Sequence, residues 1–154
     1  MTVASLITPD SVVAGIKGAS KKQVLQDLSG QLARISGLPE RAIFETLLQR
    51  ERLGTTGIGQ GMAIPHGRIA GLHRLVGLFA RLQKPVDFEA LDGEQVDLVF
   101  VLLAPEDAGA DHLQALARIA RLFRDSQLVQ KLRQTDDPAA LYAILTADIA
   151  NRAA

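Results

Sequence analysis

The stretch "VDLVFVLLA", Val96 to Ala104, holds eight apolar residues and one charge, Asp97. It lacks the strict alternation of a strand with one wet face. A run this short and continuous, bounded by loop residues, reads as a strand covered on both faces. Even extended to Pro105 it falls well short of the ~20 residues that a membrane helix needs. "RLVGLFARL", Arg74 to Leu82, has the same character. "MAI", Met62 to Ile64, is a shorter candidate strand, and Val12 to Ile16 a weaker one near the N-terminus. Between the two strong runs, "KPVDFEALDGEQ" (residues 84–95) reads as a loop with no crossover helix, so the sheet is expected to be mixed.

Outward from these runs the chain turns helical. Ser20 and Gln23 form a capping-box pattern ahead of Val24, Leu25, Leu28, Leu32 and Ile35, which recur at helical spacing until Gly37. A second helix is expected from Pro39, suited to a first turn, with Ile43, Phe44, Leu47 and Leu48 on its buried face. Gly54 lies just past its end, which puts Arg50 in the last turn. "DHLQALARIARLFRD" reads as a third helix, with Asp111 as N-cap and His112 at the first helical position. A short helix over residues 127–133 and a last one starting at Asp137 and Pro138 follow. Helices before, between and after strands predict an α/β sandwich.

Composition narrows the class. The 154 residues suit a single domain spanning residues 1–154, and 47% hydrophobic with 22% charged residues predicts a globular chain. Lys plus Arg and Asp plus Glu both number 17, so no net positive charge points to nucleic acid or anionic lipid. There is no cysteine, which removes disulfides, thiolate metal sites and cysteine catalysis, and fits a reducing compartment. "MTVASLITPD" shows no basic-then-apolar leader pattern. The expectation is a cytoplasmic protein without membrane insertion.

The chemistry concentrates in "GTTGIGQGMAIPHGR", Gly54 to Arg68. Its glycines spell neither a Walker A loop, since no Gly-Lys-Ser/Thr follows, nor GxGxxG in a strand-to-helix setting. On glycines alone a tight irregular loop is the better reading. Pro65 and the short strand before it would hold His66 still. A neutral imidazole has a free ring nitrogen able to form a covalent intermediate. Spacing alone leaves a loop histidine and a nucleophile equally open. His112, near a helix N-terminus, sits where an anion is favoured and an imidazolium is not. Arg50 offers a planar fork for phosphate oxygens. Each of the two, taken alone, reads as an ordinary surface residue. His73, in "GLHRL", reads as a solvated loop residue. No HExxH pair or sulfur ligand suggests a metal, and no GxSxG suggests a serine hydrolase.

Taken together, "LLQRERLGTTGIGQGMAIPHGR" and "PVDFEALDGEQVDLVFVLLAPEDAGADHLQALARIARLF" resemble the IIA proteins of the phosphotransferase system. The resemblance is to the mannitol/fructose type, and most of all to its nitrogen-regulatory branch, over nearly the whole chain. It implies an α/β sandwich whose mixed sheet of about five strands is flanked by helices. It implies that the "IPH" histidine, His66, accepts a phosphoryl group, that His112 supports the phosphohistidine, and that Arg50 belongs to the same site. No cofactor or metal is implied. The implied donor is an HPr-like phosphocarrier. The implied targets are regulated proteins such as potassium-transport or sensor-kinase components. The alternative is a sugar-specific component passing phosphate to a IIB cysteine. The run from Asp87 to Asp111 contains no Lys or Arg and borders either a partner surface or plain solvent.

Overall fold

Val96–Pro105 is the middle of the sheet. In a computed structural model, which describes the backbone of residues 2–153 and the side chains of residues 2–147, six strands and five α-helices are found. The strands are β1 (Val12–Ile16), β2 (Gly57–Gly59), β3 (Met62–Ala63), β4 (His66–Ile69), β5 (Val76–Val86) and β6 (Val96–Pro105). The helices are α1 (Lys21–Ser36), α2 (Glu40–Leu53), α3 (Ala110–Phe123), α4 (Ser126–Leu132) and α5 (Pro138–Ala153). Strand order is β1-β5-β6-β3-β2, with β4 also paired to β6. β5 and β6 run antiparallel, β3 and β4 run parallel to β6, and β1 runs parallel to β5. The sheet is therefore mixed and open, as expected from the loop that joins its two long strands.

The continuous apolar run of β6 has a simple cause. Successive side chains point to opposite faces, and each face carries its own core. Leu98, Phe100 and Leu102 join Phe79 against α3, α4 and α5. Val99, Val101 and Leu103 join Leu78 and Ala80 against α1 and α2. In the first core, Phe79, Phe100 and Phe123 meet edge to face, each pair with centroids 6.5 Å apart. Each such pair adds about 0.5–1.5 kcal/mol beyond area burial.

Several boundaries differ from expectation. Gln23 caps α1 by bonding the Ala19 N–H rather than that of Ser20, while Ser20 Oγ accepts from Gln23 N–H as expected. Pro39 is the N-cap of α2, one place before the first turn. β5 continues through Pro85 to Val86, which pairs with Val96 across a break in register, so the loop starts at Asp87. Proline has no N–H to give, and the irregularity spares it one. The glycine stretch is a hairpin rather than an irregular loop. β2 and β3 pair antiparallel around Gln60 and Gly61, whose φ of 58° and 82° are those of a primed turn.

Candidate functional site

β3 and β4 are two pieces of one path along β6, separated by Ile64 and Pro65. At this step the Ile64 N–H bonds the Thr56 carbonyl and the Pro65 carbonyl accepts from Leu102 N–H, both at 3.0 Å. Proline thus loses no ladder bond, and the chain re-enters the sheet at His66, opposite Leu102. His66 is the first residue of a strand, not the last. Below it Gly67 faces α2, where an added Cβ would lie 2.6 Å from Thr46 Cγ2. Glycine therefore lets α2 approach β4 closely enough for the last turn of α2 to reach the imidazole.

Two hydrogen bonds define that imidazole. His66 Nδ1 lies 2.8 Å from the Ile64 carbonyl, which only accepts, so Nδ1 carries the proton. Arg50 Nε donates to His66 Nε2 at 3.3 Å, so Nε2 presents its lone pair. Arg50 Nη1 is anchored on the Gly54 carbonyl at 2.9 Å. The ring is half-buried. Burial pushes its pKa below the ordinary 6.5; the Ile64 carbonyl and Glu51 act upward and Arg50 downward, with a net lowering. His66 is a neutral base with one defined free nitrogen.

The glycine hairpin is tied to α2 through Glu51. Its buried carboxylate accepts from Thr56 N–H at 2.9 Å and Thr56 Oγ1 at 2.7 Å, and Lys21 Nζ lies 3.6 Å away. Arg50 and the hairpin leading to His66 are thereby fixed to each other.

The opposite wall comes from α3. Its N-cap is Gly109, not Asp111, and His112 is the third helical residue, not the first. Gly109 adopts φ 57° and ψ −124°, a conformation costly for any residue with a Cβ, and this outweighs the capping preference of Asp111. His112 is buried, and its ring meets that of His66 edge on, with centroids 5.7 Å apart. His112 Nδ1 accepts from Arg68 Nε at 3.1 Å, while the buried Nε2 has no partner. Burial lowers its pKa as well, helped by His66 and Arg68. Neither Arg50 nor Arg68 is ion-paired with a carboxylate among the described residues. The site therefore holds two uncompensated guanidinium groups around two neutral imidazoles, which suits a phosphoryl group. No three His, Asp or Glu side chains gather as a metal would require among the described residues.

Residues 5–148 match the family of the phosphoenolpyruvate-dependent sugar phosphotransferase system, EIIA 2. The chain belongs to this EIIA family. It is 55% identical over 145 residues to a nitrogen regulatory protein of Bradyrhizobium diazoefficiens, covering 94% of this chain and 95% of that protein. It is 42% identical to the nitrogen regulatory protein of Pseudomonas aeruginosa, covering 95% of each. The crystal structure of the nitrogen regulatory protein IIA-Ntr from Neisseria meningitidis superposes with a TM-score of 0.87 at 38% identity, covering 93% of this chain and 98% of that one. Within this EIIA fold, His66, Arg50 and His112, separated by up to 62 positions in sequence (112 minus 50), meet at one place. His73 lies outside it, exposed in the turn before β5. Sequence reasoning missed Arg68, although a strand at His66 would have put residue 68 on the same face. It also missed the Glu51–Thr56 clasp. No described helix is long and apolar enough to cross a membrane.

Proposed function

We propose that the protein is a regulatory phosphocarrier of the nitrogen-related phosphotransferase system, working in the cytoplasm. The observation that carries this is the pair of bonds that leaves His66 Nε2 with a lone pair under an unpaired guanidinium. The step is a phosphoryl exchange between two histidines. The Nε2 lone pair forms a bond to phosphorus as the donor's N–P bond breaks, and that electron pair returns to the donor nitrogen. The donor is an HPr-like phosphocarrier. No proton needs to leave His66, because Nδ1 keeps its hydrogen and the product ring gains positive charge. The Ile64 carbonyl bond strengthens as that charge develops, so it favours the transition state over the free enzyme. Arg50 shifts from Nε2 to the phosphoryl oxygens, and the His112 Nε2–H donates to them. Positioning and charge stabilisation are what phosphoryl transfer chiefly asks of a protein.

The rim suits a protein partner. Leu113, beside His112, is 65% exposed, and Leu53 and Ile58 stand exposed on α2 and the glycine hairpin. The acidic loop after β5 is joined to the hairpin, with Asp92 accepting from the Gln60 N–H at 2.8 Å. The phosphorylation state would then set which target proteins bind, in the manner of potassium-transport or sensor-kinase regulation. The second reading, a sugar-transport component that phosphorylates a IIB cysteine, draws support from the family's description as a sugar system.

Incubation with phosphoenolpyruvate, an enzyme I and an HPr-like carrier should add one acid-labile phosphoryl mass to the protein. His66→Ala should remove it, and His112→Ala should leave a residual signal. Full labelling of His66→Ala would sink the assignment. Transfer onward to an isolated IIB domain would favour the sugar-transport reading.

A further inference from the structure

Arg68 is assigned no role by the family likeness, yet its guanidinium makes the only hydrogen bond to the His112 ring among the described residues. Arginine donates and never accepts. Its Nε–H, 3.1 Å from His112 Nδ1, therefore requires a lone pair on that nitrogen. In a neutral ring the proton must then sit on Nε2. That atom is buried and unpartnered. A buried N–H without an acceptor is costly, and such groups persist where a ligand completes them.

We propose that Arg68 is a positioning residue that locks His112 into the Nε2–H tautomer, making it a donor aimed at the group that His66 receives. This rests on the phosphocarrier reading of His66. The two histidines are set in complementary ways. At His66 a carbonyl holds the proton on Nδ1 and leaves Nε2 bare. At His112 a guanidinium holds Nδ1 bare and leaves the proton on Nε2. Without Arg68 no hydrogen bond among the described residues would fix the His112 tautomer. Molecules in the other tautomer would turn a lone pair toward the phosphoryl oxygens, which repels instead of binding. Placement supports the assignment. His66 and Arg68 are two residues apart on β4, so they share a face, and the Gly67 between them faces α2. One four-residue strand thus fixes both the acceptor and the group that orients its helper. The Arg68 side chain is exposed, so its replacement spares the core.

The test uses ¹⁵N-histidine-labelled protein at neutral pH, with long-range correlation spectra to place the His112 proton. Wild type should show it on Nε2. Arg68→Met should shift it partly to Nδ1 and lower the carrier-saturated rate of phosphoryl acceptance severalfold, with little change in the carrier's KM. Arg68→Lys, which still only donates, should restore most of the tautomer and most of the rate. A wild-type proton on Nδ1, an unchanged tautomer in Arg68→Met, or a shifted tautomer with an unchanged rate would each overturn the proposal. A wild-type protein that accepts no phosphoryl group would overturn the phosphocarrier reading, and with it any role of Arg68 in transfer. The tautomer of the free protein, read without a carrier, separates that failure from the others.

Discussion

The two ring nitrogens of His66 are held in opposite states. Nδ1 is tied to the Ile64 carbonyl, in the step just before its strand, and Nε2 accepts from Arg50. Burial lowers the pKa of the ring, so the neutral form is favoured. In an NMR titration of the ring C–H signals, the His66 midpoint should fall below 6.5. A midpoint at or above that value would mean that the Ile64 and Glu51 contributions outweigh burial. His66 was legible as a candidate, left open by spacing between a loop histidine and a nucleophile and singled out only by the family resemblance. Its tautomer was not, because both hydrogen bonds depend on backbone and side-chain positions that spacing does not give. Arg68 escaped for a related reason. An exposed arginine two residues from a histidine means nothing until the histidine is known to begin a strand.

At the scale of elements, the site is a meeting of three: β4, the last turn of α2 and the first turn of α3. The close approach of α2 to β4 depends on Gly67. Gly67→Ala would set a methyl group 2.6 Å from Thr46 Cγ2 and push the two apart. Overpacking of this kind typically costs about 1–3 kcal/mol. It should also slow phosphoryl acceptance, because Arg50 would lose its reach to His66. Chemical denaturation and a labelling time course check both, and an unaltered variant would show that the approach is not tight. The long elements were legible from sequence: β5 and β6 from their continuous apolar runs, α1 and α2 from helical spacing and caps. Of the hairpin, β3 was legible within the short apolar run Met62 to Ile64, and β2 was not. A strand of three residues, two of them glycine, is too short to carry a period, and pairing alone defines it. The start of α3 was misplaced because two start signals compete there, an aspartate that caps well and a glycine that alone tolerates the turn.

Across the whole molecule, a mixed sheet with a core on each face carries the site at one end of β4. The family resemblance anticipated that architecture, a mixed sheet of about five strands flanked by helices; six strands are found among the described residues. Stability and chemistry are coupled through the two imidazoles, because both are kept below the ordinary 6.5 by burial. Below that pH the unfolded chain binds more protons at these residues than the folded one. Stability from this source is therefore complete above 6.5 and is lost as pH falls through the lowered folded values. Urea midpoints measured across this range should fall on the acid side, and His66→Gln should flatten part of that slope. Identical acid slopes for both proteins would contradict the coupling.

The central claim is that a phosphoryl group enters at His66 Nε2. Histidine-labelled protein, phosphorylated by an HPr-like carrier and observed by ¹⁵N–³¹P correlation, tests it directly. The account predicts phosphorus bonded to Nε2 of His66, with Nδ1 still protonated on the Ile64 carbonyl. Phosphorus on Nδ1, or on any residue other than His66, would contradict it.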